Sequence, residues 1–190
     1  MTTIHPVIMA VPDQYRQLTG RQKTTALSGF ARKALAASAR KSGVILKELE
    51  QDDRGAPIPK DGCHWSISHK DRYVAGVVAP GPIGIDIERV RPYDRAMRKK
   101  IAGQAEWQLG AADSIKFFFR VWTAKEAVLK ATGAGLRELS DCRIAQIIDT
   151  HRVGVVHRDL EWIVFQHEFD GHLSAVVTNG WEVKWDVTSC

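Results

Sequence analysis

The chain has 190 residues, 44% hydrophobic and 26% charged, which allows one substantial core or two small joined lobes and excludes a disordered chain. No segment approaches the roughly 20 apolar residues of a membrane span, the opening "MTTIHPVIMAVP" lacks a basic leader, and three scattered cysteines (Cys63, Cys142, Cys190) suit reduced thiols in a cytoplasm. The formal net charge of +5, with a sequence pI near 9.2, favours anionic partners; without a Lys/Arg block, zinc spacing or an aromatic stacking platform, nucleic acid is not expected to be the main one.

In chain order, residues 22–42 place Leu27, Phe30, Ala34, Ala37 and Ala39 on an approximate helical stripe, with Gly43 as the stop. "DDRGAPIPKDG" (52–62), with two prolines and two glycines, reads as a loop. "HWSISH" and "RYVAGVVA" read as strands, and Pro80-Gly81-Pro82 as a junction between lobes. "GPIGIDIERV" (81–90) alternates Ile83, Ile85 and Ile87 with Gly84, Asp86 and Glu88, so the isoleucines face a core and both acids project from the other side. Residues 115–132, free of Gly and Pro, predict a helix whose stripe runs through Phe118, Val121, Ala124 or Lys125, and Val128, closed by Gly133. "EWIVFQHEF" and "HLSAVVT" form a hairpin across Asp170-Gly171. "WEVKWDV" (181–187) alternates as one half-buried strand, its tryptophans packing in the core. The expected class is α+β with mainly antiparallel sheets.

Two like charges side by side on a strand repel. Asp86 and Glu88 either pair with Arg89, Arg91 or Arg95 or converge on one hard cation. Mg²⁺ is held in this way, by one or two carboxylates plus substrate phosphates. On the helix, Glu126 and Lys130 stand at i and i+4 on one face, with Lys125 on the neighbouring stripe. The nearby Phe117 to Phe119 and Trp122 enclose that face, where a third carboxylate and two lysines would complete a site for Mg²⁺ and a diphosphate. Ser68, His69 and Lys70 in "SISHK" can hold a phosphate by charge-assisted hydrogen bonds.

"WSISHK", "IGIDIE" and "VWTAKEAVLKATGAGL", in this order, resemble the 4′-phosphopantetheinyl transferases of the two-lobe, surfactin-synthetase-activating type. Their central pattern is G-[IV]-D-[IV]-E followed by W-[ST]-x-K-E-[AS]-x-x-K, and here the acids stand 126 − 86 = 40 positions apart. The resemblance implies a pseudo-dimer of two similar α/β lobes, residues 1–81 and 82–190, acting as a monomer with coenzyme A between them. It implies that Asp86, Glu88 and Glu126 bind Mg²⁺ with the pyrophosphate, Lys130 contacts that pyrophosphate, and Lys125 lies beside the phosphates. Ser68 and His69 would hold the nucleotide phosphates, and Lys23 or Arg32 would be a basic nucleotide contact. Glu106 matches the acid of an F-x-x-x-E segment in which Ala102 replaces the aromatic. Two departures stand out: Gly55-Ala56-Pro57 replaces G-K-P, where Arg54 or Lys60 could substitute, and Lys70 replaces a frequent serine.

The implied reaction moves the phosphopantetheine arm of coenzyme A to a serine of an acidic apo carrier protein, acyl or peptidyl, releasing adenosine 3′,5′-bisphosphate. Glu126, Lys130 and Asp86 are its candidate catalytic residues, with Glu126 as base. The alternatives are a non-catalytic relative that binds coenzyme A or a carrier protein, and a Mg²⁺-dependent phosphohydrolase.

Overall fold

The computed structural model describes residues 2–110 and 114–188; Cys190 lies outside them. The first half runs β1 (Thr3–Ile4), β2 (Val7–Ala10), α1 (Asp13–Arg16), α2 (Gly20–Lys41), β3 (His64–Lys70) and β4 (Tyr73–Ala79). After Pro80 to Pro82 come β5 (Ile85–Arg89), α3 (Arg95–Ile101), α4 (Gln104–Trp107), α5 (Ile115–Thr132) and a 3₁₀ turn (Leu136–Glu138). The chain closes with β6 (Arg143–Ile147), β7 (Arg152–His157), β8 (Leu160–Phe169), β9 (His172–Val177), β10 (Glu182–Val183) and β11 (Asp186–Thr188).

The long elements follow the periodicity of their residues. On α2 the expected stripe is the buried one, widened by Ala31 and Leu35, while Ala37 lies half-buried at its margin. α5 spans Ile115–Thr132, capped at its start by Ser114 Oγ accepting from Phe117 N and closed at Gly133 in the left-handed conformation. Asp170 and Gly171 turn the β8–β9 hairpin, both with positive φ, as a two-residue hairpin loop requires. Three short helices, α1, α3 and α4, were not anticipated. α3 starts where Asp94 Oδ1 accepts from Ala96 N, and α4 follows at once.

The result is a mixed α+β fold with mostly antiparallel pairing. One sheet has the order β11-β2-β4-β3, a second β5-β9-β8-β7-β6, and β1 with β10 makes a short parallel pair. α2 packs on β4 of the first sheet and α5 on β9 and β5 of the second. Edge strands β3 and β5 meet through serines: Ser66 Oγ accepts from Ile85 N at 3.1 Å, and Ser68 Oγ from Ile87 N at 3.3 Å.

The C-terminal segment departs from expectation. Residues 181–187 are not one strand of the second lobe. Glu182–Val183 pairs in parallel with β1, and Asp186–Thr188 pairs in parallel with β2, extending the first sheet. Trp181, Val183 and Trp185 pack against the large core, so the apolar alternation is real, but it serves a crossing segment. The first sheet thus takes its outermost strand from the end of the chain.

Candidate functional site

The site forms where the β3 and β5 edges meet and the face of α5 crosses them. Ile83, Ile85 and Ile87 are buried in the core as alternation requires, and Asp86 and Glu88 project into a cleft of about 390 Å³. Ser68, His69, Glu126, Lys130 and Trp122 line the same cleft. It adjoins a second cleft of about 400 Å³, sharing Gln51, Ile67, Glu126 and Lys130 with it. That second space runs between the 51–57 loop and the end of α5, with Arg54 and Arg137 on its walls.

Lys130 is the hub. Its Nζ donates to Asp86 Oδ1 at 2.8 Å, Ser68 Oγ at 3.0 Å and Ile85 O at 3.0 Å, so all three donors are satisfied. It therefore turns to β5 and not along its own helix to Glu126. Ser68 Oγ in turn donates to Asp86 Oδ1 at 2.9 Å. Asp86 Oδ2 is buried with no hydrogen-bond partner. Glu88 is clasped by Lys70, at 2.8 Å from Oε1 and 2.6 Å from Oε2. The strand acids thus pair with lysines of α5 and β3, and not with the arginines that follow them in sequence.

Burial and like charge set the electrostatics. Burial, and then the nearby Asp86 charge, push the Glu126 carboxyl up to about 7 and raise that of Glu88. Burial, helped by Lys130 and Lys70, pulls His69 below its usual range, which favours the neutral imidazole at pH 7. Three carboxylates facing one partly enclosed space, one with an orphaned oxygen, form a donor set suited to a hard divalent cation. Among the described residues no set of three or more His, Cys, Asp or Glu side chains stands ready-made to hold a metal ion.

Four expected residues lie elsewhere. Lys125 is fully buried, its Nζ donating to Ile101 O at 2.7 Å and paired with Glu106 Oε1 at 2.8 Å. It belongs to the core side of α5 and lines neither cleft. Glu106 also accepts from Ile144 N and Gly103 N, so its role is structural. Lys23 pairs with Asp71 at 2.9 Å, beside the β3–β4 turn, and lines neither cleft. Arg32 donates to the Gln51 amide and stacks near Trp65. Of the two substitutes for the missing loop lysine, Arg54 lines the cleft, whereas Lys60 is tied to Glu48 and Glu50. Sequence reasoning missed Arg137, on the 3₁₀ turn after Gly133 and Gly135, and the joining role of Ser66. The S-x-S spacing of 66 and 68 was the available signal for Ser66; Arg137 had none.

A family model described as ACPS, the 4′-phosphopantetheinyl transferase superfamily, matches residues 82–182, just over half of the chain. The chain belongs to that superfamily. Superfamily relatives include the 4′-phosphopantetheinyl transferase psf-1 of Bacillus pumilus, 33% identical over 94 residues, covering 46% of this chain and 40% of that protein. HetI of Nostoc sp. (strain PCC 7120) is 34% identical over 110 residues, covering 52% and 46%, and Sfp of Bacillus subtilis (strain 168) is 35% identical over 77 residues, covering 38% and 34%. The matched segments span less than half the length of these relatives. The superfamily match includes Asp86, Glu88, Glu126 and Lys130. Ser68, His69 and Lys70 precede it, and only the fold brings Ser68 and His69 to the same cleft and Lys70 onto Glu88.

Proposed function

We propose that this chain transfers the 4′-phosphopantetheine arm of coenzyme A to a serine hydroxyl of an acidic apo carrier protein, acyl or peptidyl, and releases adenosine 3′,5′-bisphosphate. The observation that carries the reading is the convergence of Asp86, Glu88, Glu126 and Lys130, from elements 40 positions apart, on one cleft that opens into a second of about 400 Å³. On this reading the nucleotide lies in the cleft flanked by Arg54 and Arg137, between lobes centred on residues 1–81 and 82–190, in a monomeric cytoplasmic enzyme.

Asp86, Glu88 and Glu126 are the residues to hold Mg²⁺, and the buried, unpartnered Oδ2 of Asp86 supports that fit. The ion would supply charge neutralisation for the diphosphate. Lys130 turns one of its donors from β5 to the diphosphate and steadies the leaving oxygen. Ser68 and His69 hold nucleotide phosphate oxygens from the first sheet. Glu126, directly or through a water, takes the proton of the carrier serine, since its helix sets it beside Asp86 and Lys130 in the cleft. The serine oxygen bonds to the phosphorus next to the pantetheine arm as the bond from that phosphorus to the bridging oxygen breaks. The excess of 27 basic over 22 acidic residues speeds encounter with an acidic carrier and loses this advantage in salt.

Intact-mass analysis of apo carrier proteins incubated with the chain, coenzyme A and Mg²⁺ tests this directly. A gain of one phosphopantetheine on serine is expected, and Glu126→Gln should slow it by about 10²-fold or more. Coenzyme A binding by calorimetry with no mass gain on any carrier would favour the non-catalytic alternative, to which Ala56 and Lys70 point. Release of inorganic phosphate from nucleotides would instead show a phosphohydrolase.

A further inference from the structure

Glu88 differs from Asp86 in having both oxygens engaged. Lys70 Nζ reaches both Oε1 and Oε2, at 2.8 and 2.6 Å, and Trp122 Nε1 donates to Oε1 at 3.3 Å. Asp86 commits only Oδ1, to Lys130 and Ser68, and keeps Oδ2 bare. The difference comes from one residue at the end of β3, two positions beyond Ser68. An ammonium on both oxygens of a carboxylate takes up part of its lone-pair capacity and repels a second cation, so its release favours binding of the ion there. The ammonium is free to leave: the Lys70 side chain is 31% exposed and borders a further cleft, of about 310 Å³, along Arg91, Tyr93 and Met97.

We propose that Lys70 is a resident competitor for the divalent ion, holding Glu88 while the site is metal-free and weakening metal affinity because it must be displaced. The proposal rests on the Mg²⁺ reading above and assigns this chain's own lysine a role in it. Without the ion, Lys70 and Lys130 together supply two positive charges to the three acids, so the cluster folds with its repulsion offset. With the ion, Lys70 leaves Glu88 and turns its charge to the neighbouring cleft. The lysine therefore acts as a positioning residue for Glu88.

Titration with Mn²⁺, followed by the loss of the free-ion electron paramagnetic resonance signal, reads this without any turnover. The proteins compared are the intact chain and its Lys70→Met, Lys70→Arg and Asp86→Asn variants. Lys70→Met should bind Mn²⁺ about tenfold more tightly at low ionic strength, with the gap narrowing in salt. Lys70→Arg, which keeps the charge, should bind no more tightly than the intact chain, and Asp86→Asn should lose the site. Equal or weaker binding by Lys70→Met, with Asp86-dependent binding intact, overturns this proposal alone. Absence of Asp86-dependent Mn²⁺ binding in every protein overturns the metal reading and this proposal with it.

Discussion

Lys125 and Lys130 lie five positions apart on one helix and end in opposite surroundings. Lys130 crosses to β5, while Lys125 enters the core and meets Glu106. Sequence periodicity left position 125 on the border of the apolar stripe, and the motif placed it with the phosphates. The backbone decided otherwise, because the 125 side chain points at α3 and α4, elements that no pattern announced. A buried pair broken on one side leaves an uncompensated charge, so Lys125→Met should lower stability by about 2–4 kcal/mol in urea denaturation. On the proposed function, adenosine 3′,5′-bisphosphate should still bind to the folded variant within about twofold of the intact chain, since Lys125 is buried and lines neither cleft. Selective loss of nucleotide binding, with stability unchanged, would return Lys125 to the site.

At the scale of elements, the site depends on how closely α5 approaches the start of β5. A Cβ built on Gly84 would stand 1.8 Å from Ala127 O and 2.7 Å from Ala131 N. Only a glycine there lets the helix settle deeply enough for Lys130 to reach Ile85 O and Asp86. The other sheet repeats the device, since a Cβ on Gly76 would meet Leu35 N at 2.4 Å. Gly84→Ala should force α5 outward, costing about 1–3 kcal/mol or more of stability and reducing arm transfer by about 10²-fold through misplacement of the reacting groups. Gly29→Ala supplies the contrast. It lies on the exposed face of α2 with nothing within 4 Å of a new Cβ, and should stabilise by about 0.5–1 kcal/mol. Thermal melts and intact-mass rates measure both, and a Gly84→Ala variant as stable and active as the original would refute the close-packing account. In "GIDIE", the glycine and both acids were visible as letters; that the glycine fixes a helix-to-strand distance was visible only once Ala127 lay against it.

Over the whole molecule, the C-terminal segment ties the two sheets. β10 and β11 pair with β1 and β2, Lys41 pairs with Asp186 at 2.9 Å, and Trp185 stacks on His167 with ring centroids 5.5 Å apart. Truncation after Val183 removes β11 and bares the β2 edge. It should lower the urea midpoint and broaden the transition as coupling between the sheets weakens. An unchanged, equally sharp transition would mean that the β3–β5 edge alone holds the two sheets together.

Several features were determined by the sequence alone. Local periodicity set the extents of α2 and α5, the period of two set the inward isoleucines, and Asp170-Gly171 set the hairpin, because each depends on neighbours within a few residues. The family was also legible, since its two motifs keep their order and spacing. The tertiary structure decided what depends on distant neighbours: which lysine meets which acid, that Lys70 holds Glu88, that Arg54 and not Lys60 faces the cleft, and that the last strand returns to the first sheet. Charge pairing and strand registration over such separations arise from three-dimensional packing, and no spacing along the chain encodes them.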